Sequence, residues 1–259
     1  MKRALGLIFL LALPCMANYD KDLDLPISPW DPPAPVTTLG KSPPKTPLEA
    51  PAPIIAHDPP PPPELPPSIY GKDLESKSAS VLYIIDISGS MGLDAGPFPD
   101  LDGVFKPGNR LDHAKVELIR SVTSLPKNFE FNVESYDCVM SLWAQELVKA
   151  TPENKESAKI WINALQPGGA TGTGPAGEFG LLMFPKNKLV VLLTDGDPNC
   201  GAGDEFNPVA CRQAHLSRIR VANVQNARID VFGVWATGDF RRFCMELAGQ
   251  NNGSYMDVF

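Results

Sequence analysis

Three stretches of the 259-residue chain carry oxygen donors in patterns able to hold a hard cation. The first is Asp86-Ile-Ser88-Gly-Ser90, and another is Thr194-Asp195-Gly196-Asp197. Between them lies the glycine-rich loop Gly168-Gly-Ala-Thr171-Gly-Thr173-Gly174. Asp86 and Asp195 offer carboxylates. Ser88 and Ser90 offer neutral hydroxyls, as does a loop threonine, either Thr171 or Thr173. With neither histidine nor thiolate in the set, the chemistry is that of a hard-oxygen site, suited to Mg²⁺, or Mn²⁺, rather than to zinc or copper. Asp-x-Ser-x-Ser alone is a weak signal, recurring by chance in about several per cent of chains of this size. Its weight comes from where the chain places it.

Ser80-Val-Leu-Tyr-Ile-Ile85 runs directly into the first motif and Leu189-Val-Val-Leu-Leu193 into the second. Continuous apolar runs of this length mark central parallel strands covered on both faces. Further strands fit 129–136, 228–235 and 254–258, and helices fit 111–122, 152–165, 175–184, 208–227 and 240–248, with Pro152, Pro175 and Pro208 in first-turn positions. Strand and helix in alternation predict an α/β fold, an open, doubly wound, mostly parallel sheet with helices on both faces. In such sheets ligands bind beyond the carboxyl ends of the strands where the strand order reverses. Asp86 and Asp195 converge there if the two central strands are neighbours, about 4.8 Å apart.

Upstream, 17 of the 28 prolines fall between Pro26 and Pro67, in a segment too poor in apolar side chains to form a core. The predicted organisation is a signal peptide at 1–17, a disordered proline-rich stalk at 18–79 and one folded domain at 80–259. The signal reading rests on Lys2 and Arg3 before the apolar run Ala4–Met16, which is shorter than the roughly 20 residues of a spanning helix. It implies export to the periplasm, the cell surface or the medium, with membrane attachment only if the segment stays uncleaved. Net charge is −7, with −5 in residues 80–259, which argues against a nucleic-acid partner. Beyond the signal, four cysteines remain, Cys138, Cys200, Cys211 and Cys244, and an exported chain favours disulfides. Cys200 with Cys211, the nearest pair in sequence, is the expected bridge. No zinc spacing is present, and His57, His113 and His215 lie far apart.

The ordered triplet of motifs, together with Arg110-Leu-Asp-His-Ala-Lys115, resembles the von Willebrand factor type A domain and its metal-ion-dependent adhesion site over roughly residues 80–258. The resemblance implies Ser88, Ser90 and Thr171 as direct metal ligands, with Asp86 and Asp195 holding coordinated waters. It also implies a protein partner whose Asp or Glu carboxylate completes the coordination, and no small-molecule substrate. The segment between Met91 and Arg110 is longer than the family's usual connector and is expected beside the metal, either shaping the choice of partner or as a solvated loop without a role.

Enzymatic readings lack parts. An aspartyl nucleophile at Asp86 would need a second Asp two residues on, where Ser88 stands. Ser88 lacks a Gly-x-Ser-x-Gly elbow, and the glycine loop lacks a Gly-Lys-Ser/Thr ending. The competing function is an inner-membrane-tethered proline-rich spacer, or a structural component of an envelope assembly with a vestigial metal position.

Overall fold

The structure is a computed structural model that describes residues 67–204 and 206–259. The expected signal peptide, and the expected stalk as far as residue 66, lie outside the described residues. In chain order the elements are β1 (Ser68–Ile69), β2 (Lys72–Asp73), β3 (Ser80–Asp86), β4 (Asp94–Pro99), β5 (Phe105–Asn109), α1 (Arg110–Ser124), β6 (Glu130–Tyr136), β7 (Met140–Leu142), β8 (Val148–Lys149), α2 (Pro152–Ala164), α3 (Thr173–Met183), β9 (Leu189–Thr194), α4 (Pro208–Ala222), β10 (Arg228–Val234), α5 (Gly238–Gln250) and β11 (Tyr255–Val258).

The main sheet has the order β11-β10-β9-β3-β6-β7, with β8 also pairing with β6. β11, β10, β9, β3 and β6 run parallel, and β7 and β8 run antiparallel to β6. β3 and β9 are wholly buried, as their unbroken apolar sequences predict. Along β3 the side chains alternate between two cores. Val81, Tyr83 and Ile85 pack with Leu111, Leu118 and Ile162 of α1 and α2, while Leu82 and Ile84 pack with Ala176, Leu216 and Phe243 of α3, α4 and α5. The predicted doubly wound α/β architecture is therefore the observed one. After β3 the chain moves to β6 on one side and then crosses to β9 on the other, so the strand order reverses at β3.

Local sequence explains the helix starts. Asn109 caps α1 by accepting from Asp112 N at 2.8 Å while Asp112 Oδ2 accepts from Asn109 N, a reciprocal capping box. Thr151 and Asn207 cap α2 and α4, each followed by a first-turn proline.

Three expectations are corrected. The folded domain does not begin at residue 80: Ile69 and Leu74 are buried in the core beside α1, and Tyr70 stacks on Phe232 with ring centroids 5.6 Å apart. A hairpin turned by Tyr70 and Gly71, both at positive φ, puts these apolar residues against the sheet. The 91–110 segment is not a plain loop but the antiparallel pair β4–β5, which its glycines and prolines hid from a pattern reading. The Cys200–Cys211 bridge is not formed. Cys200 is joined to Cys138, with Cα atoms 6.0 Å apart, because the segments leaving β6 and β9 meet over the same end of the sheet. Cys211, in the first turn of α4, instead directs its Sγ to the carbonyl oxygens of Pro198 and Ala202, each at 3.3 Å.

Candidate metal site

Asp86 ends β3 and is fully buried. Its Oδ2 accepts from Thr194 Oγ1 at 2.6 Å and from Tyr136 OH at 3.3 Å, and its Oδ1 accepts from Ser88 N at 2.8 Å. Burial, aided by the charge of Asp195, pushes the carboxyl up to about 6 against the pull of the Thr194 and Ser88 hydrogen bonds. Such a group is stabilised by a positive centre nearby. Beyond Asp86 the chain turns through a single 3₁₀ turn, Gly89–Gly92, which places Ser88 Oγ and Ser90 Oγ 3.2 Å apart. Ser90 Oγ donates to Asp195 Oδ1 at 2.7 Å.

The glycine loop is tied to the first motif by Gly89 N donating to Gly169 O at 3.0 Å and Gly168 N donating to Ile87 O at 2.7 Å. A side chain on Gly196 would place its Cβ 3.2 Å from Thr171 Oγ1 and 3.5 Å from Ser90 Oγ, so both hydroxyls border one small space next to Asp195. Thr173 lies elsewhere: it is buried, with its hydroxyl 3.3 Å from Tyr136 OH. Of the two loop threonines, Thr171 is the one the fold brings to the cleft.

The five expected residues thus gather at the ends of β3 and β9. Ser90, Thr171 and Asp195 line an open cleft of about 310 Å³, with Asp86 and Ser88 buried beneath. A larger cavity of about 550 Å³, lined by Lys77, Lys188 and Arg228 among others, contains none of them. Among the described residues no three His, Cys, Asp or Glu side chains form a metal cluster, so an ion here would depend on hydroxyls. The donor set fits such an ion: Asp86 is held by hydroxyl and amide donors alone, the hydroxyls of Ser90 and Thr171 border one space, and Ser88 Oγ lies 3.2 Å from Ser90 Oγ.

Sequence reading missed several partners of this site. Thr194 and Tyr136 hold Asp86. Thr194 adjoins Asp195, a usable signal, but Tyr136 is brought opposite Asp86 only by the β3–β6 register. Arg110, where α1 begins, donates from Nη1 to Asp195 Oδ2 at 2.7 Å, with Asp195 buried. Trp235, just after β10, has a φ of 55°, a strained backbone for a bulky residue, and lines the same cleft.

No family model matches the chain. Among curated proteins, inter-alpha-trypsin inhibitor heavy chain H3 of Pongo abelii is 29% identical over 133 residues, covering 47% of this chain and 14% of that protein. Heavy chain H2 of Mus musculus is 25% identical over 204 residues, covering 73% and 19%. The chain therefore spans less than a fifth of the length of these relatives. A von Willebrand factor type A structure from Catenulispora acidiphila superposes with a TM-score of 0.52 at 19% identity, covering 70% of this chain and 38% of that one. The pilus adhesin SpaC from Lactobacillus rhamnosus GG gives 0.54 at 14% identity, covering 69% and 28%. An aerotolerance-related membrane protein from Bacteroides fragilis gives 0.50 at 20%, covering 70% and 91%. Strand order, the two-faced helix layers and these likenesses agree: the described part of the chain has the fold of the von Willebrand factor type A domain.

Proposed function

We propose that this domain is an exported, non-enzymatic protein-binding module whose grip on its partner requires Mg²⁺ or Mn²⁺. The observation that carries the reading is convergence: Asp86, Ser88, Ser90, Thr171 and Asp195 gather at adjacent strand ends beside an open cleft. Ser88, Ser90 and Thr171 would hold the ion through neutral oxygens, and Asp86 and Asp195 would accept from its coordinated waters. Bound there, the ion supplies a positive centre able to take an Asp or Glu carboxylate from a partner. The chain's own residues prepare the place. Thr194, Tyr136 and Ser88 N fix the orientation of Asp86, and Arg110 fixes that of Asp195. Structures of similar fold include a pilus adhesin and a minor pilin, which supports an adhesive role.

The Arg110–Asp195 ion pair favours a second reading, in which a guanidinium takes over the cation's duty and the domain is a structural block. Affinity capture from envelope extract separates the two. With Mg²⁺ present, wild type should retain a partner that chelation releases and that Ser88→Ala holds at least about tenfold more weakly. A partner retained through both treatments supports the structural reading instead.

A further inference from the structure

We propose that the Cys138–Cys200 disulfide positions Thr171, and that opening it lowers the affinity of the site for its cation. The inference rests on the reading of this site as a metal site. The Thr171 loop is gripped from both sides by the residues of the bridge and their neighbours. On the β6 side, Gly172 N donates to Asp137 O at 2.8 Å. On the β9 side, Thr171 N donates to Asn199 Oδ1 at 2.7 Å, and Thr171 O accepts from Asn199 N at 2.9 Å and from Cys200 N at 3.3 Å. A Cβ on Gly172 would lie 2.7 Å from Asp137 O and 3.4 Å from Cys200 Sγ, so the loop backbone rests directly against the bridge.

The bridge is placed to matter. β6 and β9 are not neighbours, since β3 lies between them, and no ladder hydrogen bond joins the segments that follow them. Among its described residues the stretch after Asp195 has no helix or strand before Pro208, and it turns through Gly201 and Gly203 at positive φ. A covalent link 62 residues long in sequence holds Asn199 and Cys200 against Thr171 where regular structure does not. Supports of this kind, one step removed from a ligand, typically change metal affinity by about 10- to 100-fold. A small dithiol opens the bridge by thiolate attack on one sulfur and release of the other. The protein gains two electrons and two protons as two thiols, and the reagent closes to its own disulfide.

The test uses the full chain in three forms: oxidised wild type, wild type reduced by a dithiol under native conditions, and Cys138→Ser/Cys200→Ser. Two quantities are read in each form, the Mn²⁺ affinity by calorimetry and the amide exchange rates of Thr171 and Gly172. Opening the bridge should weaken Mn²⁺ binding by about tenfold or more and speed exchange at both amides by a similar factor. Thr171→Ala should weaken binding in the oxidised chain yet add less than about twofold once the bridge is gone, the non-additivity of residues acting as a unit. Gly172→Ala, with the bridge intact, should mimic the loss by pushing the loop off Asp137 O. If the double-serine chain does not melt cooperatively, the reduced wild type and Gly172→Ala decide. Equal Mn²⁺ affinity and unchanged exchange with the bridge open overturn this inference alone, whereas a wild type that binds no Mn²⁺ overturns the metal reading and the inference with it.

Discussion

Asp86 shows how a buried carboxylate is kept usable: three donors orient it, and the shortest comes from Thr194. Thr194→Val keeps the shape and removes that donor, leaving a charged acceptor underserved. Urea unfolding at neutral pH should show a loss of about 1–3 kcal/mol. His215 is a titrating group of a different kind. Its Nδ1 accepts from Gly174 N at 2.7 Å, which fixes the neutral ring, and burial followed by the charge of Arg218 lowers its pKa to about 4. The unfolded chain takes up this proton near the ordinary histidine value, about 6.5, and the folded chain only near 4. Folding is thus opposed by proton uptake in the unfolded state, and stability falls as pH drops from about 6.5 towards 4. The contribution reaches about 3 kcal/mol below that window. Asp86 and Glu134, held above their ordinary values by burial, act in the opposite sense over the same range, so the test is the difference: from about pH 7.5 to about 4.5 wild type should lose stability relative to His215→Gln.

At the level of elements, α3 packs through its glycines. A Cβ at Gly177 would meet Ile219 Cγ1 at 2.7 Å, and one at Gly180 would meet both Glu134 Oε2 and Leu82 Cδ2 at 2.7 Å. Alanine is the better helix former by about 1 kcal/mol, yet Gly177→Ala should destabilise the domain by about 1–3 kcal/mol, because the helix must back away from α4. A rise in the thermal midpoint would show that the α3–α4 contact yields to a methyl group without cost. The same helix shows where sequence reading works and where it stops. The periodic helices α1 and α2 and the unbroken apolar strands β3 and β9 were legible, since burial on one or both faces leaves a regular pattern. The β4–β5 pair left none: its residues are mostly exposed or half-buried, and hairpin pairing rather than a core face defines it. Short strands β7 and β8, two or three residues each, likewise carry too few positions for a period to register.

For the molecule as a whole, the folded unit reaches back to residue 67, and this has an energetic consequence. A chain cut at Ser80 loses the buried side chains of Ile69 and Leu74, together about 3–6 kcal/mol of burial, and should melt well below one that begins at Pro67. That N-terminal extension was hidden because it follows directly on the proline-rich region and contributes only two core residues. The five site positions were legible from three motifs in order, since strand ends are where a doubly wound sheet collects its functional side chains. Their supports were not, because Arg110, Tyr136 and the Cys138–Cys200 bridge reach the site through the folding of distant segments. Calorimetric titration of the metal-stripped full chain with Mn²⁺ decides whether the gathered oxygens hold an ion. Wild type should bind one Mn²⁺ and the Asp86→Ala, Asp195→Ala double variant none, whereas equal affinity in the two would contradict a cation held at this site.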